Sequence, residues 1–143
     1  MSADTRPRLV GVLGWPVGHS LSPAMHNAAL RALKLNWRYL LLPVRPDDVP
    51  DAVRGLRALG FAGANVTIPH KVAVAALMDN LTPEALAVGA VNTIIIRDGR
   101  FTGHNTDAYG FLTALTDAGY APSGRSALVL GAGGAARSVV YAL

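Results

Sequence analysis

Residues 9–44, LVGVLGWPVGHSLSPAMHNAALRALKLNWRYLLLPV, contain the pattern that decides the fold. Residues 9–14 and 37–44 are apolar runs of strand length. Between them, Ser22 is a suitable N-cap, and Pro23 stands at the first helical position. The apolar residues of that helix share one stripe, formed by Met25, Ala28, Ala29 and Ala32. Strand-length and helix-period segments that alternate in this way predict an α/β domain.

The same alternation continues along the rest of the chain. Further strands are predicted at residues 64–68, 91–97 and 100–104. Asp98-Gly99, between the last two strands, is a strong hairpin signal. Further helices are predicted at residues 47–59, 71–78, 82–89 and 106–118. The first of these ends at Gly60 and presents an apolar face made of Val49, Val53, Leu56 and Leu59.

Composition excludes several classes of protein. The 143 residues are 51% hydrophobic and 15% charged, which suits a domain with a buried core. No apolar run approaches the roughly 18 residues of a membrane-spanning helix, and residues 1–8 are too polar for a signal peptide, so a cytoplasmic location is expected. The absence of cysteine excludes disulfides and Cys-ligated metals. The net charge of +4 is spread without adjacent basic residues, so a nucleic-acid partner is not expected.

A glycine-rich loop follows a predicted buried strand at residues 126–130. The sequence Gly131-Ala132-Gly133-Gly134-Ala135-Ala136 has the spacing G-x-G-x-x-A and runs into a helical segment that reaches Leu143. Glycines at this spacing let the backbone approach a pyrophosphate, which then lies on the helix N-terminus. Dinucleotide binding is favoured, while a structural turn and S-adenosylmethionine stay open. The residue that distinguishes NAD from NADP would lie beyond Leu143.

Polar residues stand where strands end and helices begin. Ser20 and Ser22 precede a helix, so both hydroxyls could hold a carboxylate at its N-terminus. One N-cap and one loop serine is the simpler interpretation and is preferred on the residues alone. Asn65 and Thr67 alternate onto one face of a strand that ends beside Lys71.

Two further polar positions and the lysines complete this set. Asn92 closes an apolar run, and Asp107 begins a helix, where a structural and a functional carboxylate are equally supported. The chain has 11 arginines but only two lysines, Lys34 and Lys71. Of these two residue types, only lysine can release a proton near neutral pH. Lys34, at a helix C-terminus, is expected to be a surface residue that complements the helix dipole.

Five motifs, in this order, resemble the shikimate dehydrogenase family and span almost the whole chain. They lie at Gly14 with residues 19–23, at 65–71, at 89–93, at 103–107 with 110–111, and at the loop that begins at Gly131. The resemblance implies a substrate domain over residues 1–106, with a mixed twisted sheet flanked by helices. Residues 107–143 would then be a connecting helix and the first strand, loop and helix of a Rossmann-type NADP-binding domain.

The resemblance also implies an activity, which is the reversible reduction of 3-dehydroshikimate to shikimate by NADPH. This reaction belongs to chorismate and aromatic amino-acid biosynthesis. The expected partners are small molecules, with no nucleic acid, membrane or metal, and self-association as a homodimer is left open.

Site residues follow from the resemblance position by position. It assigns Ser20 and Ser22 to the shikimate carboxylate, and it makes Lys71 and Asp107 the catalytic pair. Lys71 could act as a general acid and base or as an electrostatic stabiliser of the oxyanion, and both roles stay open. The ring hydroxyls are assigned to Thr67, Asn92 and Asp107, with Asn65 supporting the same strand end. The cofactor loop comprises Gly131, Ala132, Gly133, Gly134 and Ala135.

Two departures from the family pattern affect these expectations. Val72 stands where an acidic residue is common, which concerns helix capping more than chemistry. The rest of the cofactor domain and a C-terminal helical segment do not follow the loop, so the chain is expected to be truncated and inactive alone. Residues 126–143 are expected to pack irregularly or to be poorly ordered. An NAD-linked quinate/shikimate dehydrogenase and a catalytically silent shikimate-binding module remain as alternatives.

Overall fold

A computed structural model describes residues 6–143 and contains one mixed six-stranded sheet with helices packed on it. The strands are β1 (Arg8–Gly14), β2 (Trp37–Pro43), β3 (Gly63–Val66), β4 (Asn80–Leu81), β5 (Thr93–Arg97) and β6 (Arg100–His104). Their order across the sheet is β2-β1-β3-β5-β6-β4. Strands β2, β1 and β3 are parallel, β5 is antiparallel to both β3 and β6, and β4 is parallel to β6. The mixed sheet that the resemblance implies is therefore confirmed.

Six α-helices connect or flank the strands within the described residues. They are α1 (Ser22–Ala32), α2 (Val49–Ala58), α3 (Lys71–Ala75), α4 (Pro83–Val88), α5 (Asp107–Asp117) and α6 (Gly134–Ala142), and a 3₁₀ turn at Pro46–Asp48 leads into α2. None of them is long and apolar enough to cross a membrane. Helix α3 is shorter than its predicted range of 71–78.

The main core lies between α2 and the sheet. Val49, Val53 and Leu56 of α2 are buried, together with Leu13 of β1 and Ile94 of β5. The predicted apolar face of α2 is thus confirmed for three of its four residues. The fourth, Leu59, is 72% exposed because it follows the last helical residue, where the chain turns away at Gly60 with φ +74°.

Helix α1 packs on the sheet with a different face from the one predicted. Met25, Ala28, Ala29 and Ala32 are not buried, and Met25 is 62% exposed, so the stripe prediction is wrong. The side chain of Asn27 explains the rotation of the helix. Its Oδ1 accepts from the Tyr39 amide at 2.9 Å, and its Nδ2 donates to the Tyr39 carbonyl at 2.9 Å. Strand β2 lies at the edge of the sheet, and Asn27 supplies the partner that its backbone would otherwise lack.

Two local signals place short elements correctly. Asp98 and Gly99 both have positive φ, 50° and 71°, as the predicted two-residue hairpin requires. Thr82 caps α4 by accepting from the Ala85 amide at 3.3 Å, and Gly89 ends that helix with φ +66°. Strand β4 has two residues, which is too short to give a periodic signal in the sequence.

The predicted strand at residues 126–130 is wrong. No described strand pairs with this segment, and Leu128 and Leu130 are each 87% exposed. A strand forms only where a neighbour satisfies its backbone groups, and this segment has none among the described residues. The expected irregular packing is therefore confirmed for 126–130. The expectation is wrong for the helix that follows, because α6 packs against α4 and α5 and its Ser138 is 1% exposed.

Substitution of Gly63 by alanine tests the closeness of β3 and β5. A Cβ at position 63 would lie 2.2 Å from the backbone oxygen of Ile94, and a paired strand cannot move to make room. We expect Gly63→Ala to lower the free energy of unfolding by about 3 kcal/mol, measured by urea denaturation. Gly55→Ala is the matched control, because its methyl group meets no atom within 4 Å. Equal stability of the two variants would contradict this packing.

Candidate active site

An ion pair joins the starts of two helices. Lys71 is the first residue of α3, and Asp107 is the first residue of α5. The Lys71 Nζ lies 2.6 Å from Asp107 Oδ2, with the two side chains 18% and 29% exposed. A carboxylate in the first turn of a helix is also stabilised by the helix dipole. The structure therefore brings together the two residues that the resemblance makes the catalytic pair.

Asn92 holds the second oxygen of the Asp107 carboxylate. Its Nδ2 donates to Asp107 Oδ1 at 2.8 Å and to Thr106 Oγ1 at 2.9 Å. Its Oδ1 accepts from the Thr106 amide at 3.1 Å. Asn92 is nearly buried, 9% exposed, so these bonds fix its amide and, through it, the carboxylate of Asp107.

The hydrogen bonds continue from Asn92 across the sheet. Thr93 Oγ1 donates to Asn92 Oδ1 at 3.0 Å, and Asn65 Nδ2 donates to Thr93 Oγ1 at 3.2 Å. The Tyr39 hydroxyl donates to Asn65 Oδ1 at 2.7 Å. Every donor in this series points toward Asp107, and such directional chains strengthen each member bond. Asn65 thus links Tyr39 of β2 to Thr93 of β5.

Tyr39 is a site residue that sequence reasoning missed. It is 5% exposed, and its ring stacks on His26 with centroids 4.2 Å apart. Burial raises the pKa of Tyr39 from its ordinary 10.0 to about 12, while a hydrogen bond from Ser22 acts in the opposite direction. The sequence offered one signal for Tyr39, which is a polar ring within the leucine-rich strand 37–43. Its interactions with Ser22 and Asn65 could not be foreseen, because those residues are distant from Tyr39 in the sequence.

The two serines stand at the start of α1, although not as predicted. The N-cap is Leu21, and Ser22 is the first helical residue. Ser20 Oγ accepts from the Ser22 amide at 3.3 Å, so Ser20 satisfies a helix donor. The N-cap assignment of Ser22 is therefore wrong because the loop serine, two residues earlier, provides the acceptor.

Thr67 follows β3 directly, since the strand ends at Val66 rather than at 68. Its amide donates to the Leu13 carbonyl at 2.8 Å, which keeps the chain parallel to β1. Among the described residues, its hydroxyl has no hydrogen-bond partner. Thr67 therefore presents a free hydroxyl beside Lys71.

Lys71 and the glycine loop line a common cavity. It has a volume of about 450 Å³ and is lined by residues 67–69, 71–72 and 133–135, a size typical of small-molecule sites. Gly133 is the N-cap of α6 and has open space where a Cβ would stand. The loop and this helix N-terminus suit a pyrophosphate. The described residues contain no group of His, Asp or Glu side chains that could hold a metal.

Lys71 can still donate to a bound molecule. An ammonium group has three N–H donors, and within residues 6–143 only Asp107 accepts from it. Lys71 and Thr67 both line the cavity. Such an arrangement can bind a hydroxyl or carbonyl oxygen and can stabilise or protonate an alkoxide formed there.

Comparison with known proteins gives a consistent result. Residues 12–94 match the family model described as the shikimate dehydrogenase substrate binding domain. A curated shikimate dehydrogenase (NADP(+)) of Citrifermentans bemidjiense is 53% identical over an alignment that covers all of this chain and 50% of the relative. The chain thus spans about half the length of the curated relatives that it matches.

Solved structures agree with the sequence relatives. Shikimate dehydrogenase 1 from Peptoclostridium difficile superposes with a TM-score of 0.90 at 31% identity, covering 94% of this chain and 51% of that one. Shikimate 5-dehydrogenase from Thermus thermophilus, in complex with NADP(H) and shikimate, gives a TM-score of 0.85 at 47% identity, with the same coverage of both chains.

The ionisation of Tyr39 provides a test of the network. We expect one of the four tyrosines to titrate near pH 12, followed by the absorbance of the phenolate, and this component should vanish in Tyr39→Phe. Because the folded pKa is raised, the stability conferred by neutral Tyr39 is complete below pH 10 and is lost as pH rises toward 12. Tyr109→Phe is the control, since Tyr109 is 76% exposed. Loss of the component in that control would contradict the assignment.

Proposed function

This chain belongs to the shikimate dehydrogenase family, and we propose that it provides the substrate-binding half of an enzyme that interconverts 3-dehydroshikimate and shikimate with NADP. The observation that carries the proposal is the hydrogen-bond series that runs from Tyr39, which interacts with Ser22, to the Lys71–Asp107 pair. A carboxylate-binding end and a proton-transferring end joined in this way suit a small hydroxylated acid.

The proposal assigns residues 1–106 to substrate binding and residues 107–143 to the connection with the cofactor domain. The hydroxyls of Ser20 and Ser22 would bind the substrate carboxylate at the start of α1. The free hydroxyl of Thr67, together with Asn92 and Asp107, would bind the ring hydroxyls. Asn65 would hold the strand end through its bonds to Tyr39 and Thr93.

The nicotinamide would supply a hydride to the ketone carbon of 3-dehydroshikimate. The carbonyl oxygen would then carry the negative charge, and Lys71 would donate a hydrogen bond or a proton to it. Asp107, held by Asn92 on its other oxygen, would keep the Lys71 ammonium oriented. In the reverse direction the same lysine would receive the hydroxyl proton. Gly131, Ala132, Gly133, Gly134 and Ala135 would approach the pyrophosphate of the cofactor.

The proposed reaction belongs to chorismate and aromatic amino-acid biosynthesis. A cytoplasmic site of action is part of the same proposal, and self-association as a homodimer stays open within it. Two alternatives are an NAD-linked enzyme that acts on quinate and a silent shikimate-binding module. The following experiments would distinguish both from the proposed enzyme.

Calorimetric titration with shikimate tests the substrate class. We expect the chain to bind shikimate and Asp107→Asn to weaken binding by about tenfold, because the neutral amide no longer orients Lys71 or accepts from a ring hydroxyl as strongly. Asp117→Asn is the matched control, since Asp117 is an exposed residue at the far end of the same helix. The substrate assignment fails if shikimate produces no binding heat, and tighter binding of quinate would favour the quinate enzyme.

A second titration addresses the cofactor. Residues 126–130 form no strand, so the adenosine side of a dinucleotide site is not assembled in this chain. We therefore expect no NADP binding by calorimetry and essentially no shikimate oxidation in a steady-state assay of these 143 residues. Robust NADP-dependent turnover would contradict this expectation.

A further inference from the structure

We propose that Gly134 and Ser138 are positioning residues that hold the Lys71–Asp107 pair from one face of α6. The two residues are one helical turn apart and therefore lie on the same side of the helix. Gly134 contacts the stem of Lys71, and Ser138 contacts the residue that caps the helix carrying Asp107. This inference rests on the proposed function only in taking the pair as the group that acts on substrate.

The first contact explains why position 134 is a glycine. A Cβ there would lie 2.7 Å from Lys71 Cβ, 3.2 Å from Lys71 Cδ and 3.4 Å from Ala90 Cβ. The backbone of Gly134 is thus packed directly on the aliphatic stem of the lysine. Because the stem is confined on this side, its ammonium is directed toward Asp107, where Nζ and Oδ2 are 2.6 Å apart. The requirement for glycine here comes from Lys71, in addition to any bound pyrophosphate.

The second contact runs through Asn105, which is 6% exposed. Its Oδ1 accepts from the Asp107 amide at 3.0 Å and so caps the start of α5. Its Nδ2 donates to the Ala90 carbonyl at 3.0 Å and to Ser138 Oγ at 3.1 Å. Ser138, 1% exposed, donates in turn to the Gly134 carbonyl at 3.0 Å. Asn105 therefore ties the backbone that positions Asp107 to the helix that confines Lys71.

One consequence concerns the glycine loop. Gly134 is both the fourth residue of that loop and the first residue of α6. A shift of the loop therefore moves the surface on which Lys71 rests, and through Ser138 it also moves the cap of α5. The proposed cofactor site and the proposed catalytic pair are in this way mechanically connected, so a ligand on the loop would alter the geometry of the pair.

The chain contains an internal standard for a chemical test. Lys34 and Lys71 are its only lysines, and Lys34 is exposed. Trace labelling with acetic anhydride, followed by mass spectrometry of the peptides, gives the ratio of Lys71 to Lys34 acetylation. The contact with Asp107 holds the Lys71 side chain in a position where it is only 18% exposed to the reagent, so loosening the pair raises the ratio. We expect a rise of about three- to fivefold in Gly134→Ala and in Ser138→Ala.

Matched controls make the same two substitutions, glycine to alanine and serine to alanine, at positions outside the contacts described above. A Cβ at Gly110, on the helix that carries Asp107, meets no atom within 4 Å, and Ser123 is an exposed loop residue. Gly110→Ala and Ser123→Ala should therefore leave the labelling ratio unchanged. The melting temperature and the backbone amide signal of Asp107 in a nitrogen-correlated NMR spectrum are recorded for each variant. That signal should shift in the two α6 variants and stay in place in the controls.

Two results would overturn the proposal. The first is an unchanged labelling ratio in both α6 variants, including the case in which only the melting temperature falls, because that outcome describes a purely structural helix. The second is an equal rise in the controls. Should Gly134→Ala release α6 altogether, Ser138→Ala decides, since Asn105 keeps its bond to Ala90 in that variant. Failure of the unmodified chain to bind shikimate would remove the proposed function and leave the labelling result standing.

Discussion

The site depends on the interactions of the Asp107 carboxylate. This carboxylate is a charged group at the start of a helix, and each of its oxygens receives a separate donor, Lys71 on one and Asn92 on the other. A partly buried charge is tolerated only when it is paired and hydrogen-bonded. Lys71 begins α3, and Asn92 directly precedes β5. Because the two donors come from these separate segments, α3, α5 and the start of β5 must all be in place for the carboxylate to be satisfied.

The rest of the polar site is ordered by that carboxylate. From Tyr39 through Asn65, Thr93 and Asn92, each side chain donates to the next, and the series ends at Asp107. Reversal of any amide would place two donors or two acceptors against each other. A network of this kind fixes rotamers more than it adds stability, since each bond contributes only about 1 kcal/mol net. Its value lies in holding the substrate-facing groups in fixed relative positions.

Sequence reasoning succeeded where the signal was local and failed where a partner was needed. The Asp98-Gly99 turn and the cap of α4 by Thr82 depend on residues within a few positions of each other, and both are confirmed. The predicted buried face of α1 was wrong because the hydrogen bonds of Asn27 to β2 outweigh the packing of small apolar residues. The strand at 126–130 was predicted from composition, yet a strand also requires a neighbouring backbone.

The sequence by itself determined the α/β class, the position of most helices and strands, and the motifs that identify the family. The same motifs named Lys71 and Asp107, but their 36-residue separation gave no distance between them. Only the tertiary structure decided that these side chains meet, that Tyr39 bonds to Asn65, and that Gly134 rests on Lys71. Periodicity and turn chemistry are properties of neighbouring residues, whereas hydrogen bonds and close contacts between distant segments exist only after the sheet has brought those segments together.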